Sequence, residues 1–150
     1  MKYEFKELSL DNYELHYTGK DGKEKILPFK RTVELARKLQ SADADARFEM
    51  LSYMKQTDKK KEDLITEREE NGKIIVDETL YREFENGFIE KKATELLVDI
   101  YRMLFDKEVD EVLLDMGAIE NPKDAEQFHL ELRDILINGK VKTPSNKKNN

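Results

Sequence analysis

The side chains of this chain that could do chemistry are few in kind. His16 and His129 are its two histidines, and they stand far apart, with no second metal-ligating residue at helical or loop spacing. Asp43 and Asp45 alternate with alanines but lack the glycine turn and the distal bidentate acid of a calcium loop, so acids at a helix start explain them. Carboxylate pairs suited to acid–base work abound, in Glu69-Glu70, Glu108, Asp110-Glu111 and Asp115. In a chain with 33 acidic residues that abundance removes their information. Ser9, Ser41, Ser52 and Ser145 have none of the small neighbours of a nucleophile elbow. The absence of cysteine excludes a thiolate zinc site, a disulfide framework and a cysteine nucleophile, and the six isolated glycines form no phosphate-cradling loop. The sequence therefore offers no catalytic residue, no metal ligand and no cofactor site. The expectation is a non-enzymatic protein that acts through apolar helix faces.

The elements that would carry those faces are legible from periodicity. Tyr13, Leu15 and Tyr17 alternate with polar residues, Gly19-Lys20-Asp21-Gly22 supplies a turn, and Lys25 to Phe29 returns, which predicts a β-hairpin. Tyr3 and Phe5 could add a third strand, and Pro28 suits an edge. From Thr32 the period becomes helical, with Val33, Ala36 and Leu39. A second start capped by Ser41 would place Ala44, Phe48, Leu51 and Met54 on one face. The charged stretch from Lys55 onward reads as a long mobile connection or a second hairpin, and Asn71-Gly72 before Lys73-Ile74-Ile75-Val76 favours the hairpin.

Asp77 can cap the longest helix, from about Glu78 to Asp106. Its apolar face changes near Gly87: Leu80, Tyr81, Phe84 and Phe88 lie on one side, while Ile89, Ala93, Leu96, Leu97, Ile100 and Leu104 lie roughly opposite. Eight of the ten residues from Leu96 to Phe105 are apolar, in a chain that is 40% charged. A helix apolar over most of its circumference has to be wrapped by other helices or by a partner. Leu96, Leu97, Ile100, Tyr101, Leu104 and Phe105 are therefore the candidate partner-binding residues. Val109, Val112, Leu113 and Met116 form a short helix stopped by Gly117. Asn121-Pro122 starts a last one, with Ala125, Phe128, Leu132, Ile135 and Leu136 inward, closing at Asn138-Gly139.

The expected fold class is thus mainly α (α+β): a helical domain of about five helices, an N-terminal β-hairpin or small sheet, and a disordered C-terminal tail. The expected boundaries are 1–30 for the sheet, 31–139 for the helical domain with a mobile charged segment at 55–76, and 140–150 for the basic tail. The net charge of −6 is uneven. Setting aside Lys140, Lys142, Lys147 and Lys148 leaves 23 basic against 33 acidic residues, so the body carries about −10 and repels phosphates. Nucleic acid is a disfavoured partner, with Lys59-Lys60-Lys61 and the tail as its candidate runs. The opening residues Met1 to Glu7 lack the apolar run of a secretory signal, and no stretch approaches a membrane span, so a soluble protein is expected.

Three stretches, EKILPFKRTVELARKL (Glu24 to Leu39), EFENGFIEKKATELLVDIYRM (Glu83 to Met103) and the Asn-Pro-capped acidic helix near the C-terminus, give the chain a character that resembles the tail assembly chaperones of long-tailed bacteriophages of Gram-positive hosts. The resemblance implies a small acidic helical protein of the infected cell's cytoplasm, absent from the mature virion. It also implies binding to the tape measure protein, which is kept soluble, and recruitment of tail tube protein around it. A homo-oligomer is compatible with it. Members of that family are often made also in a longer, frameshifted form, and the Lys- and Asn-rich terminus is compatible with an adenine-rich slippery run. The competing expectation is a small phage regulatory or nucleic-acid-associated helical protein.

Overall fold

The computed structural model describes residues 2–141. The expected disordered tail lies almost wholly outside the described residues. Within them, strands β1 (Tyr3–Ser9), β2 (Asn12–Thr18) and β3 (Glu24–Lys30) are followed by helix α1 (Val33–Gln56), a 3-10 turn at Lys61–Leu64, strands β4 (Thr66–Glu70) and β5 (Lys73–Asp77), and helices α2 (Thr79–Phe105), α3 (Val109–Met116) and α4 (Pro122–Asn138).

This corrects the expected fold class. In place of about five helices and one small sheet there are four α-helices and two separate antiparallel sheets, one of three strands and one of two. The helix count fails at Ser41. Its hydroxyl donates to Asp45 Oδ2 one turn ahead (2.9 Å), within a continuous helix, where a cap had been expected. Ala42, Ala44 and Ala46 carry the highest helix propensity and favour continuation through that stretch. The segment expected to be mobile at 55–76 holds the 3-10 turn and the β4–β5 hairpin, whose turn residues Asn71 and Gly72 both have positive φ (54° and 76°). That conformation is the one a two-residue hairpin loop requires.

The described residues divide into two compact units, one made of 2–40 with 96–141 and the other of 41–95. Helices α1 and α2 each contribute a part to both. The change of apolar face along α2 near Gly87 precedes this division, so Ile89 and Ala93 lie in the second unit while Leu96 and the residues after it lie in the first.

In the first unit the sheet has the order β1-β2-β3. The alternation seen in the sequence buries one face, with Phe5 from β1, Tyr13, Leu15 and Tyr17 from central β2, and Phe29 from β3. Pro28, which has no N–H to give, sits on edge strand β3. Against that face pack Leu35 and Leu39 of α1, Ile100, Tyr101, Leu104 and Phe105 of α2, Val112 and Met116 of α3, and Phe128, Leu132, Ile135 and Leu136 of α4. Aromatic rings knit the layers: Phe128 is edge-on to Tyr3 at 5.1 Å and stacked on Phe5 at 5.3 Å, and Phe29 is edge-on to Phe105 at 5.5 Å. Each such side chain removed from water contributes roughly 1.5–3 kcal/mol, so this is where the fold's stability concentrates.

Helix ends are fixed by local chemistry. Thr32 Oγ1 accepts the Leu35 N–H (3.2 Å) at the start of α1, and Asp77 Oδ1 accepts both the N–H (2.9 Å) and the hydroxyl (2.6 Å) of Thr79 at the start of α2. Gly117 and Gly139 close α3 and α4 in the left-handed conformation. Arg31 reinforces the end of α4, giving Nε to the Leu136 carbonyl (3.0 Å) and Nη2 to that of Ile137 (2.8 Å).

In the second unit Ala46, Met50 and Met54 form the buried stripe of α1, spaced by one turn. Tyr53 meets Phe84 and Phe88 of α2 at ring distances of 6.0 and 5.7 Å. Lys92 donates to Glu49 at 2.7 Å.

Candidate functional site

Five of the six candidate partner-binding residues belong to the core of the first unit or pack on it. Ile100, Tyr101, Leu104 and Phe105 are buried in that cluster and Leu97 is half-buried against it, while Leu96 is buried at the start of this stretch of α2. The wrapping that an all-round apolar helix demands is supplied by this chain's own sheet and by α3 and α4. With Leu97 half-exposed and the others buried, these residues leave little surface on this chain for a partner.

The histidines serve structural ends. His16, on β2, has Nε2 2.8 Å from Glu14 Oε1 and Nδ1 3.4 Å from Glu24 Oε1. His129, on α4, has Nε2 2.8 Å from the Tyr101 hydroxyl, and burial pushes its pKa down, favouring the neutral ring. Among the described residues no group of three His, Asp or Glu side chains is placed to hold a metal ion.

Of the acids named in the sequence, Asp115 alone gathers a polar constellation. Its Oδ2 accepts the Tyr17 hydroxyl (2.8 Å) and Lys25 Nζ (2.7 Å), and its Oδ1 accepts the Lys20 N–H (3.2 Å). Tyr17, Lys25 and Asp115 line a cleft of about 630 Å³ with Leu27, Lys107 and Glu111. The Lys25 ammonium and the Tyr17 hydroxyl hold the Asp115 carboxyl at a pKa of about 2. The Tyr17 hydroxyl is pushed well above its ordinary value by burial and by that carboxylate. A carboxylate so acidic, with both oxygens occupied, is a poor general base and is never a general acid at neutral pH. The cluster is a clamp joining β2 and β3 to α3. Nothing in the sequence ties Tyr17 and Lys25 to Asp115, because the pairing exists only once sheet and helix pack.

Two of the three lysines in the basic run are engaged within the chain. Lys59 lies 5.1 Å over the Phe84 ring and Lys61 lies 4.8 Å over Tyr81, with Glu78 Oε1 3.6 Å from the Lys61 ammonium.

Among its exposed residues the second unit shows several large apolar side chains. On α1, Phe48 is 71% and Leu51 57% exposed, with exposed Ala44 one turn before Phe48. The sequence assigned this row to the interior, together with Met54. The interior is instead the Ala46, Met50, Met54 row, which at 100° per residue lies roughly opposite Phe48. Ile74 and Val76 project from one face of the β4–β5 hairpin beside their cross-strand partners Glu69 and Glu67, and Leu80 is exposed in the first turn of α2. Isolated exposed leucines are ordinary on any surface. Here Phe48, Leu51, Tyr53, Ile74, Val76 and Leu80 are exposed from a unit whose buried apolar side chains are Ala46, Met50 and Met54. In this unit large exposed apolar side chains thus outnumber the fully buried ones.

No helix among the described residues is long and apolar enough to cross a membrane. Compared with protein-family models, with curated protein sequences and with solved structures, the chain matches none.

Proposed function

We propose that this chain is a non-catalytic assembly chaperone of the phage tail type, which holds an apolar helical client, the tape measure protein, in soluble form and helps bring tail tube subunits to it in the host cytoplasm. The observation that carries the reading is the second unit's surplus of exposed over buried apolar side chains, with Phe48 and Leu51 at helical spacing on an outward face of α1. A row at i and i+3 extended by a small residue at i−4 is what one amphipathic helix offers another in helix-to-groove recognition. The thin core of that unit is a second support, since burying such a face against a client stabilises both partners. The resemblance of Glu24 to Leu39 and Glu83 to Met103 to tail assembly chaperones names the client class. The acidic body disfavours the nucleic-acid alternative, because phosphate binding there would work against a charge near −10.

Co-expression tests this reading. The full chain is produced with a tape measure protein from the same genome, and soluble client is quantified with and without it. The expected result is client that is insoluble alone and co-purifies with the chain. Client that stays insoluble in the chain's presence, with the chain itself folded, would overturn the assignment.

A further inference from the structure

The β4–β5 hairpin is a sheet of two strands, and among the described residues β5 has a neighbour on one side only. An isolated pair of strands is marginal in water, and an open edge is a template for another strand. Which residues face that edge follows from the turn. Asn71 and Gly72, both at positive φ, form the two-residue loop closed by the hydrogen-bonded pair Glu70 and Lys73. Alternation along an antiparallel ladder then makes Arg68 with Ile75, and Thr66 with Asp77, the next bonded pairs. The backbone N–H and C=O groups of Ile74 and Val76 therefore point away from β4, toward the open edge.

The edge sequence is Lys73-Ile74-Ile75-Val76-Asp77: base, three apolar residues, acid. Read in reverse it is complementary to itself. We propose that β5 pairs antiparallel with β5 of a second copy of this chain about a two-fold axis at Ile75, giving a four-stranded sheet in the order β4-β5-β5-β4. In this register Lys73 of each copy lies opposite Asp77 of the other, and Ile74 lies opposite Val76. The outward amides of Ile74 and Val76 are the ones that bond. Opposed residues share a face, so the exposed Ile74 and Val76 side chains of both copies join into one apolar cluster on one face. On the other face the two Ile75 side chains sit between two Lys–Asp pairs. A shift by one residue would set Lys73 against Val76 and turn apolar side chains out of the cluster, and a shift by two would keep that face but lose the Lys73–Asp77 pairs. The pairing goes beyond the chaperone reading and does not depend on it, since it uses the hairpin and leaves Phe48 and Leu51 free.

The test uses the full chain in sedimentation velocity up to about 200 µM, the range in which a small edge interface is measurable. Val76→Pro removes the outward N–H without breaking a β4 bond, and Lys73→Asp sets acid against Asp77. Far-UV circular dichroism checks that both variants keep the fold. The expected result is a reversible dimer for the wild type, a monomer for Val76→Pro, and roughly tenfold weaker association for Lys73→Asp. Because the chain has no cysteine, Ile75→Cys gives a second readout. Across a non-bonded pair the two Cα atoms would lie about 4.5 Å apart, within disulfide reach, so the oxidised variant should cross-link, whereas Glu67→Cys on β4 should not. A wild type that stays monomeric over the whole range, a Val76→Pro variant that dimerises as well as wild type, or Glu67→Cys cross-linking as fast as Ile75→Cys would each overturn the pairing.

Discussion

Tyr17 and Asp115, 98 residues apart in sequence, share a 2.8 Å hydrogen bond that ties the central strand of the three-stranded sheet to α3. With Lys25 on the same carboxylate oxygen, the bond fixes where the helical layer sits on the sheet. About 25% of the Asp115 side chain remains in water, which screens the ion pair. Asp115→Asn should therefore cost only about 1 kcal/mol. Its signature is in the pH dependence. The folded pKa of about 2 lies below the ordinary 3.8, so the contribution is complete above about pH 4 and disappears as pH falls toward 2. Urea melts across that range should show a steeper acid loss in wild type than in Asp115→Asn.

His129 gives a second pH response, in a different window. Burial disfavours its imidazolium, so below the ordinary histidine pKa of about 6.5 the unfolded chain binds more protons than the native one. Stability contributed by the neutral ring is complete above that value and declines as the pH falls beneath it. Melting temperatures at pH 5.5 and 7.5 should differ in wild type, and His129→Gln should narrow the difference. An unchanged difference would place the response elsewhere.

Substitutions in the two units should separate core from surface. Phe128, fully buried among Tyr3 and Phe5, should cost about 3–5 kcal/mol as alanine. Leu104→Glu should unfold the protein by burying an unpaired charge. Phe48→Ala should cost less than about 1 kcal/mol, as surface changes do. Chemical denaturation of the three variants checks the ranking, and a folded Leu104→Glu would contradict the core assignment.

Gly117 (φ 77°) and Gly139 (φ 70°) end helices in a conformation that an L side chain adopts at a cost of about 1–2 kcal/mol. A Cβ at Gly117 would meet nothing within 4 Å, whereas at Gly139 it would touch the Arg31 guanidinium at 3.5 Å. Gly117→Ala should therefore lose only the conformational term. At Gly139 the contact is an ordinary van der Waals one, so Gly139→Ala should lose the same conformational term and keep the Arg31 bonds. Guanidinium melts should show similar losses, about 1–2 kcal/mol, for the two variants.

These elements also mark how far the sequence could be read. The alternation of Tyr13, Leu15 and Tyr17, the Asn71-Gly72 turn, the Asn121-Pro122 start and the Gly117 stop are local signals, and local backbone energetics suffices to decode them. The continuity of α1 was misread because Ser41 has two uses, as a cap and as a helix-interior donor to Asp45, and the alanines around it tip the choice. The Leu96 to Phe105 segment is apolar enough to need a cover, and periodicity cannot distinguish a chain's own sheet from a partner. The face of α1 that carries Phe48 was inverted because Ala46 and Met50 are weaker apolar signals than phenylalanine. Only the packed unit shows that the methionines are the ones inside. The Asp115 clamp left no trace in sequence spacing.

The proposed client surface is tested most directly by titrating a fluorescently labelled amphipathic helix from a tape measure protein with the full chain and with Phe48→Glu/Leu51→Glu, both first shown by circular dichroism to be equally folded. Saturable binding by wild type, weakened roughly a hundredfold or more in the double variant, is the expected result. Equal affinity of the two chains for the helix would contradict the assignment of Phe48 and Leu51 to client binding.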